Sequence, residues 1–226
     1  MAYLELRDIT FAYDTSENPV FDGFSLSLEK GVCLAVRGDN GAGKTTLFRI
    51  LNGLSFPVKG EYVLDGVKIT REYLKDNANA KRFHKRMGYL FQNPDIMLFN
   101  AKVYDEIAFG PRQMGIGEDK VRERTEDCMN LLEIRQLADK APYHLSEGQK
   151  KRVALAAVLA LNPEILVLDE PFAGLDTKNR KLFMKILGEL KKAGKTLIIA
   201  THSEEITEAF ADRVLDLHTS ADETGR

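Results

Sequence analysis

Residues 38–46 read Gly38-Asp39-Asn40-Gly41-Ala42-Gly43-Lys44-Thr45-Thr46, which fits G-x-x-x-x-G-K-[ST], the pattern of a phosphate-cradling loop. In front of it, Cys33-Leu34-Ala35-Val36 is a short apolar run suited to a buried strand. Behind it, Thr46-Leu47-Phe48-Arg49-Ile50-Leu51 reads as the start of a helix. Strand, glycine loop and helix together are the setting in which the pattern works. Glycines let backbone N–H groups turn toward phosphate oxygens, and the helix N-terminus adds partial positive charge. Lys44 is expected to reach the β- and γ-phosphates and the Thr45 hydroxyl to ligate Mg²⁺. A bare glycine-rich turn with a solvated lysine would leave the flanking strand and helix signals without a reason.

The 226 residues suffice for one large α/β domain or a core with a subdomain, and 44% hydrophobic content allows a sizeable core. With 32 basic against 34 acidic residues and a net charge of -2, nothing favours general nucleic-acid binding, which calls for a basic domain. Cys33 and Cys128 make no disulfide framework and are expected as buried small hydrophobes in a reducing compartment. No signal-peptide pattern precedes Leu4. The longest apolar runs, such as Ile165 to Leu168 and Leu197 to Ala200, are too short to cross a bilayer. A membrane role would therefore need spanning segments supplied by a partner.

Residues 3–13 and 20–29 are rich in aromatic and β-branched residues and are separated by the turn-forming Ser16-Glu17-Asn18-Pro19, so they read as a strand pair. Phe11 and Tyr13 are two apart and share a strand face. Tyr13 can be core or a flat ring on which adenine stacks, and the pattern leaves both open. Gly53 and Pro57 end the helix after the glycine loop. Glu61 to Leu64 and Val67 to Ile69 flank Asp65-Gly66, a two-residue hairpin signal. The basic cluster Lys81 to Arg86 reads as a solvated turn, with His84 lacking a nearby partner for a ligand set. Met87 to Phe91 is a strand ending at Gln92-Asn93-Pro94. Gln92 is either polar capping or a side chain reaching Mg²⁺ or an attacking water, with Pro94 marking a hinge.

From 103 to 142 the pattern becomes helical. Val121, Thr125, Cys128, Met129 and Leu132 recur at helical spacing, predicting an amphipathic helix over 118–134; Met114, Cys128 and Met129 are packing residues. Leu145-Ser146-Glu147-Gly148-Gln149 opens a long helix with Ser146 as N-cap, and such an N-terminus can also bind an anion. Ile165 to Leu168 is a buried strand ending in Asp169-Glu170. An aspartate there, beside a phosphate loop, holds Mg²⁺ through water, and the next acid can polarise a water for in-line attack. Asp176 caps a helix from Thr177 to Lys192, which Gly194 ends. Thr196 to Thr201 is a parallel strand delivering His202 at its C-terminal end, where ligands bind in α/β sheets. The last strand lies near Arg213 to Leu217, and 219–226 is a polar tail. The expected fold is α/β: a P-loop NTPase core with a mostly parallel sheet (1–92 and 163–218), an N-terminal antiparallel β layer and an inserted helical subdomain (93–162).

The chain resembles the ATP-binding subunit of ABC transporters over essentially its whole length. GDNGAGKTT is similar to the family's Walker A, Gln92 to its Q-loop glutamine, LSEGQ to its signature and ILVLDE to its Walker B. AGLD at 173–176 resembles the D-loop, His202 the switch histidine and Tyr13 the adenine-stacking aromatic. FQNPDIMLF at 91–99 with DEIAFGP at 105–111 is similar to the ATPases of energy-coupling-factor importers, which carry vitamins, cobalt or nickel into prokaryotic cells. Members of that group usually carry a further segment beyond the last strand. The resemblance implies an enzyme that binds ATP with Mg²⁺ at the cytoplasmic face of a membrane. It would work as a homodimer or related heterodimer with a second ATPase subunit and drive an integral membrane transport subunit. Gly38, Asp39, Asn40, Gly41, Ala42, Gly43, Lys44, Thr45, Thr46 and Tyr13 would bind the nucleotide, and Ser146, Gly148 and Gln149 of the second subunit would close over the γ-phosphate. Thr45, Gln92 and Asp169 would hold the metal, and Glu170, His202 and Gln92 would serve hydrolysis. One departure stands out: the third signature residue, usually glycine, is Glu147, a carboxylate that repels the γ-phosphate unless it points away. A soluble ABC ATPase acting on nucleic acid or the ribosome is the alternative. Such relatives carry long coiled-coil insertions or two domains per chain, whereas here about 125 residues separate Lys44 from Asp169. A weakly hydrolysing half of an asymmetric pair is a further alternative, supported by Glu147 and opposed by intact Glu170 and His202.

Overall fold

Alternating apolar side chains build the first sheet, and the break in their alternation is visible in its backbone. The computed structural model describes residues 2–14 and 18–217; the turn expected at 16–19 lies partly, and the tail at 219–226 wholly, outside them. In chain order the strands and helices are β1 (Leu4–Phe11), β2 (Phe21–Leu28), β3 (Cys33–Arg37), α1 (Lys44–Leu51), β4 (Lys59–Leu64), β5 (Val67–Lys68), α2 (Arg71–Lys75) and α3 (Asn77–Arg86). They continue as β6 (Met87–Leu90), α4 (Val103–Gln113), α5 (Glu118–Leu131), α6 (Glu147–Leu159), β7 (Ile165–Asp169), α7 (Thr177–Lys192), β8 (Thr196–Ala200), α8 (Glu204–Phe210) and β9 (Arg213–Asp216). The chain forms two compact units, Met1–His84 with Gly194–Arg226, and Lys85–Ala193.

In the first unit, β2, β1, β4 and β5 form an antiparallel sheet in that order. Leu4 pairs with Leu28 on one side and Leu64 on the other. The register shifts between Leu6 and Ile9, so both point inward although they are three apart, and Asp8 takes φ 51 there. A Cβ at Gly60 would lie 2.4 Å from the Asp8 carbonyl oxygen, so the neighbouring strand accepts the bulge only with glycine. Asp65 and Gly66 have φ 51 and 76, the pair of positive values a two-residue hairpin needs. The unit also holds a parallel set, with β3 paired to β8 (Cys33–Val36 against Leu197–Ala200) and to β9 (Leu34–Arg37 against Arg213–Asp216). Cys33 to Val36 are all buried, as the uninterrupted apolar run requires of a strand covered on both faces.

One expectation for this region was wrong. Lys81 to Arg86 form the end of α3 rather than a turn, with Lys81, Arg82 and Lys85 exposed and only Phe83 buried. Phe83 sits edge-on to Tyr62 with ring centroids 6.3 Å apart, and Asp76 accepts a hydrogen bond from the Asn79 N–H at the start of the helix. A helix held by one ring leaves no apolar period to read.

In the second unit β6 and β7 pair in parallel, Met87 with Ile165 through Leu90 with Leu168. A Cβ at Gly88 would approach Val158 to 2.6 Å and Pro163 to 2.8 Å, so the strand admits α6 at close range only because of glycine. Val121, Thr125, Cys128 and Met129 form the buried face of α5, with buried Leu132 just beyond it. The helix stops at Leu131 because Glu133 turns to φ 53, a reversal the apolar spacing does not register. Cys33 and Cys128 are buried and in no disulfide, and burial pushes the Cys128 thiol up to about 12. α7 runs as expected, with the Asp176 carboxylate accepting from the Asn179 N–H at 2.7 Å. Among the described residues no helix is long and apolar enough to cross a membrane.

Candidate nucleotide site

The loop Gly38–Gly43 leaves the C-terminal end of β3 and enters α1 at Lys44. Gly38, Gly41 and Gly43 have φ 142, 89 and 96, values open to glycine and rarely to other residues. A Cβ at Gly38 would lie 2.4 Å from the Leu217 carbonyl oxygen, so the loop's first turn is wedged against the chain just past β9. No side chain caps α1, leaving its first N–H groups to an external acceptor. The Lys44 ammonium donates to the carbonyls of Gly38 and Asp39, the latter at 3.0 Å, and lies 3.5 Å from His202 Nε2. Thr201 N–H donates to the Val36 carbonyl, which brings the ends of β8 and β3 side by side and places His202 next to the loop. Lys44 and His202, 158 residues apart in sequence, thus converge on one end of the parallel set.

The structure takes Tyr13 out of the core. Phe11 is buried and ends β1, whereas Tyr13 lies beyond it with 60% of its surface exposed. Its hydroxyl is 2.9 Å from Thr46 Oγ1 and its ring stands edge-on to Phe11. An exposed ring tethered to the second residue of the loop's Thr45-Thr46 pair is not a core residue.

In the second unit Leu90 pairs with Leu168, so Gln92 and Glu170 each follow by two residues from the same end of the strand pair. Asp169 is buried and Gln92 is exposed. Glu170 takes φ 46, a sparsely populated region that costs a non-glycine residue about 1–3 kcal/mol. Ser146 caps α6 through a reciprocal box: its Oγ accepts from the Gln149 N–H at 3.4 Å, and Gln149 Oε1 accepts from the Ser146 N–H at 3.0 Å. A Cβ at Gly148 would meet Asn179 Nδ2 at 2.8 Å, and Glu147 is exposed in the first helical turn. Lys151 escaped the sequence reading inside the charged run Lys150-Lys151-Arg152. It is 4% exposed and donates to the carbonyls of Glu170, at 3.3 Å, and Ala173. Its position at i relative to buried Ala154, Leu155 and Val158 is the signal that would have found it. Burial lowers its pKa, against the opposing charges of Glu147, Glu170 and Asp169.

Among the described residues no three His, Cys, Asp or Glu side chains form a metal cluster. The oxygens of Thr45, Gln92 and Asp169 are the hard donors Mg²⁺ takes, which it supplements with water and substrate phosphates.

The protein family described as "ABC transporter" matches residues 21–173. The nickel import ATP-binding protein LarO of Lactiplantibacillus plantarum is 44% identical over 210 residues, covering 93% of this chain and 87% of that one. The energy-coupling factor transporter ATP-binding protein EcfA of Methanothermobacter thermautotrophicus is 42% identical over 96% of this chain and 68% of its own length. Among solved structures, cbiO1 from Clostridium perfringens, described as part of the ABC transporter complex cbiONQ, superposes with a TM-score of 0.82 at 35% identity. It covers 96% of this chain and 86% of that one. The ATP-binding cassette MJ0796, solved as a dimer in a post-hydrolysis state bound to ADP and Pi, gives a TM-score of 0.86 at 26% identity, with 96% of each chain covered. Fold, phosphate loop, converging histidine and these likenesses agree: the chain belongs to the ABC transporter family, as an ATP-binding subunit and ABC-type ATPase.

Proposed function

We propose that this chain hydrolyses ATP to power import of a small solute, a metal ion or a vitamin, through an integral membrane subunit. It works at the cytoplasmic face of the membrane, paired with a second ATPase subunit, itself a copy or a relative. The observation that carries the ATPase reading is the approach of Lys44 to His202 at the mouth of the glycine loop. The importer reading rests on the likeness to nickel and energy-coupling-factor ATPases.

In this reading Tyr13 stacks on adenine, and Gly38, Asp39, Asn40, Gly41, Ala42, Gly43 and Thr46 wrap the phosphates with backbone N–H groups and the head of α1. Lys44 exchanges its bonds to the Gly38 and Asp39 carbonyls for β- and γ-phosphate oxygens. Thr45, Gln92 and Asp169 hold Mg²⁺, which neutralises phosphate charge when bound. Glu170 accepts a proton from the attacking water, and His202 steadies the γ-phosphate as its bond to the bridging oxygen breaks. Ser146, Gly148 and Gln149 of the second subunit complete the cover, and the helical block 93–162 passes closure to the membrane subunit.

Two measurements test the proposal. Glu170→Gln should bind ATP yet lose roughly 10²–10⁴-fold in hydrolysis, the range for a general base. Cells lacking the chain should lose uptake of nickel, cobalt or a vitamin and regain it with the wild type but not with Glu170→Gln. Unchanged uptake of all three would refute the import role.

A further inference from the structure

The general base proposed above sits on a turn that local chemistry disfavours. Glu170 has φ 46 and precedes Pro171, and a residue before proline is pushed toward extended backbone. Within the chain segment that follows, the Ala173 N–H donates to the Glu170 carbonyl at 3.2 Å. The Lys151 ammonium reaches the same carbonyl at 3.3 Å and also the carbonyl of Ala173, so both ends of the turn 170–173 are tied to one cation. Lys151 is 4% exposed and stands one turn past the Ser146 cap of α6, on a helix whose buried side packs against β6 at Gly88. A lysine so deeply buried is rare unless it has partners, and these partners are carbonyls of the turn that carries the acid.

We propose that Lys151 is a positioning residue: it clamps the Glu170 turn so that the carboxylate is held at the angle from which it takes the water proton. The clamp also ties the acid to the helix that begins with Ser146, making the signature helix and the base of one chain a single rigid piece. The inference rests on Glu170 acting as the base.

The test is a double-mutant cycle in the purified chain, reading kcat and KM for ATP. Lys151→Met, which keeps length and loses the donors, should lower kcat about 10- to 100-fold, the cost of misplacing a catalytic group by about an ångström. KM and the affinity for a fluorescent ATP analogue should change by less than about twofold, because the nucleotide contacts are untouched. Lys151→Gln, which keeps a shorter N–H donor, should recover most of kcat. In the Glu170→Gln background Lys151→Met should add almost nothing, since the two act as a unit. Losses that multiply, or a KM effect without a kcat effect, overturn the positioning role and leave the base assignment standing. Wild-type hydrolysis by Glu170→Gln overturns the base assignment, and the clamp with it. If Lys151→Met does not fold, Lys151→Leu, which also lacks the donors, carries the cycle: a kcat loss that persists in the Glu170→Gln background overturns the proposal.

Discussion

The Tyr13 hydroxyl lies 2.9 Å from Thr46 Oγ1, joining the end of the N-terminal sheet to the first turn of the phosphate-loop helix. That bond holds a ring at the surface that hydrophobicity alone would draw inward. Tyr13→Ala should weaken ATP binding by about 1–3 kcal/mol, the worth of one stacked base. Tyr13→Phe keeps the face and loses the tether, so it should fall between the two in a titration with an ATP analogue. Equal affinity in all three chains would return Tyr13 to a structural role.

Gly38→Ala places a methyl 2.4 Å from the Leu217 carbonyl oxygen at φ 142. Backbone must move, at about 1–3 kcal/mol for overpacking. For a chain of this size that is roughly 2–4 °C of melting temperature per kcal/mol. ATP binding should fall with it, because the displaced residue belongs to the phosphate loop.

Ser146 is both the cap of α6 and, in the proposed dimer, a γ-phosphate ligand. Ser146→Ala should cost about 1 kcal/mol of stability through the lost cap. Ser146→Asp restores a capping oxygen but adds a negative charge. It should melt like the wild type while failing to dimerise with ATP in the Glu170→Gln background. Dimerisation by Ser146→Asp at the wild-type ATP concentration would remove Ser146 from the interface.

Glu147 is exposed in the first turn of α6, where a carboxylate complements the helix dipole. Glu147→Gly should lower the stability of the chain slightly and tighten ATP-driven dimerisation of Glu170→Gln. Light scattering that finds no tighter dimer would mean the carboxylate already points away from the nucleotide.

His84 is half-buried beside Phe83, and burial lowers its pKa below 6.5. The unfolded chain therefore takes up a proton near pH 6.5 that the folded chain refuses. Stability should fall as pH drops below 6.5 and level off once the folded-state pKa is passed. His84→Gln should flatten that part of the melting-temperature profile between pH 7.5 and 5.5; an unchanged slope would place the titration elsewhere.

Much of this fold was readable because its signals are local. Asp65-Gly66 dictates positive φ at two positions, Asp176 and Gly194 bracket α7, and the apolar runs Cys33–Val36 and Ile165–Leu168 can only be buried strands. What escaped is non-local. α3 leans on one ring, Phe83, against Tyr62 from another strand, and no period records that. Lys151 drew no role from the sequence, because its partners are backbone carbonyls 19 and 22 residues away. Tyr13 was undecided for the same reason: its partner, Thr46, is 33 residues on.

The place of β3 bears on how the protein is made. The strand that launches the phosphate loop lies between β8 and β9, and the Cys33 N–H donates to Asp212, 179 residues later. During synthesis the apolar segment Cys33–Val36 emerges early and waits for nearly the whole chain before either neighbouring strand exists. Pairings this distant in sequence make folding slow and leave sticky edges exposed meanwhile. A ribosome stalled before residue 196 holds a phosphate loop whose launching strand has neither of its neighbours.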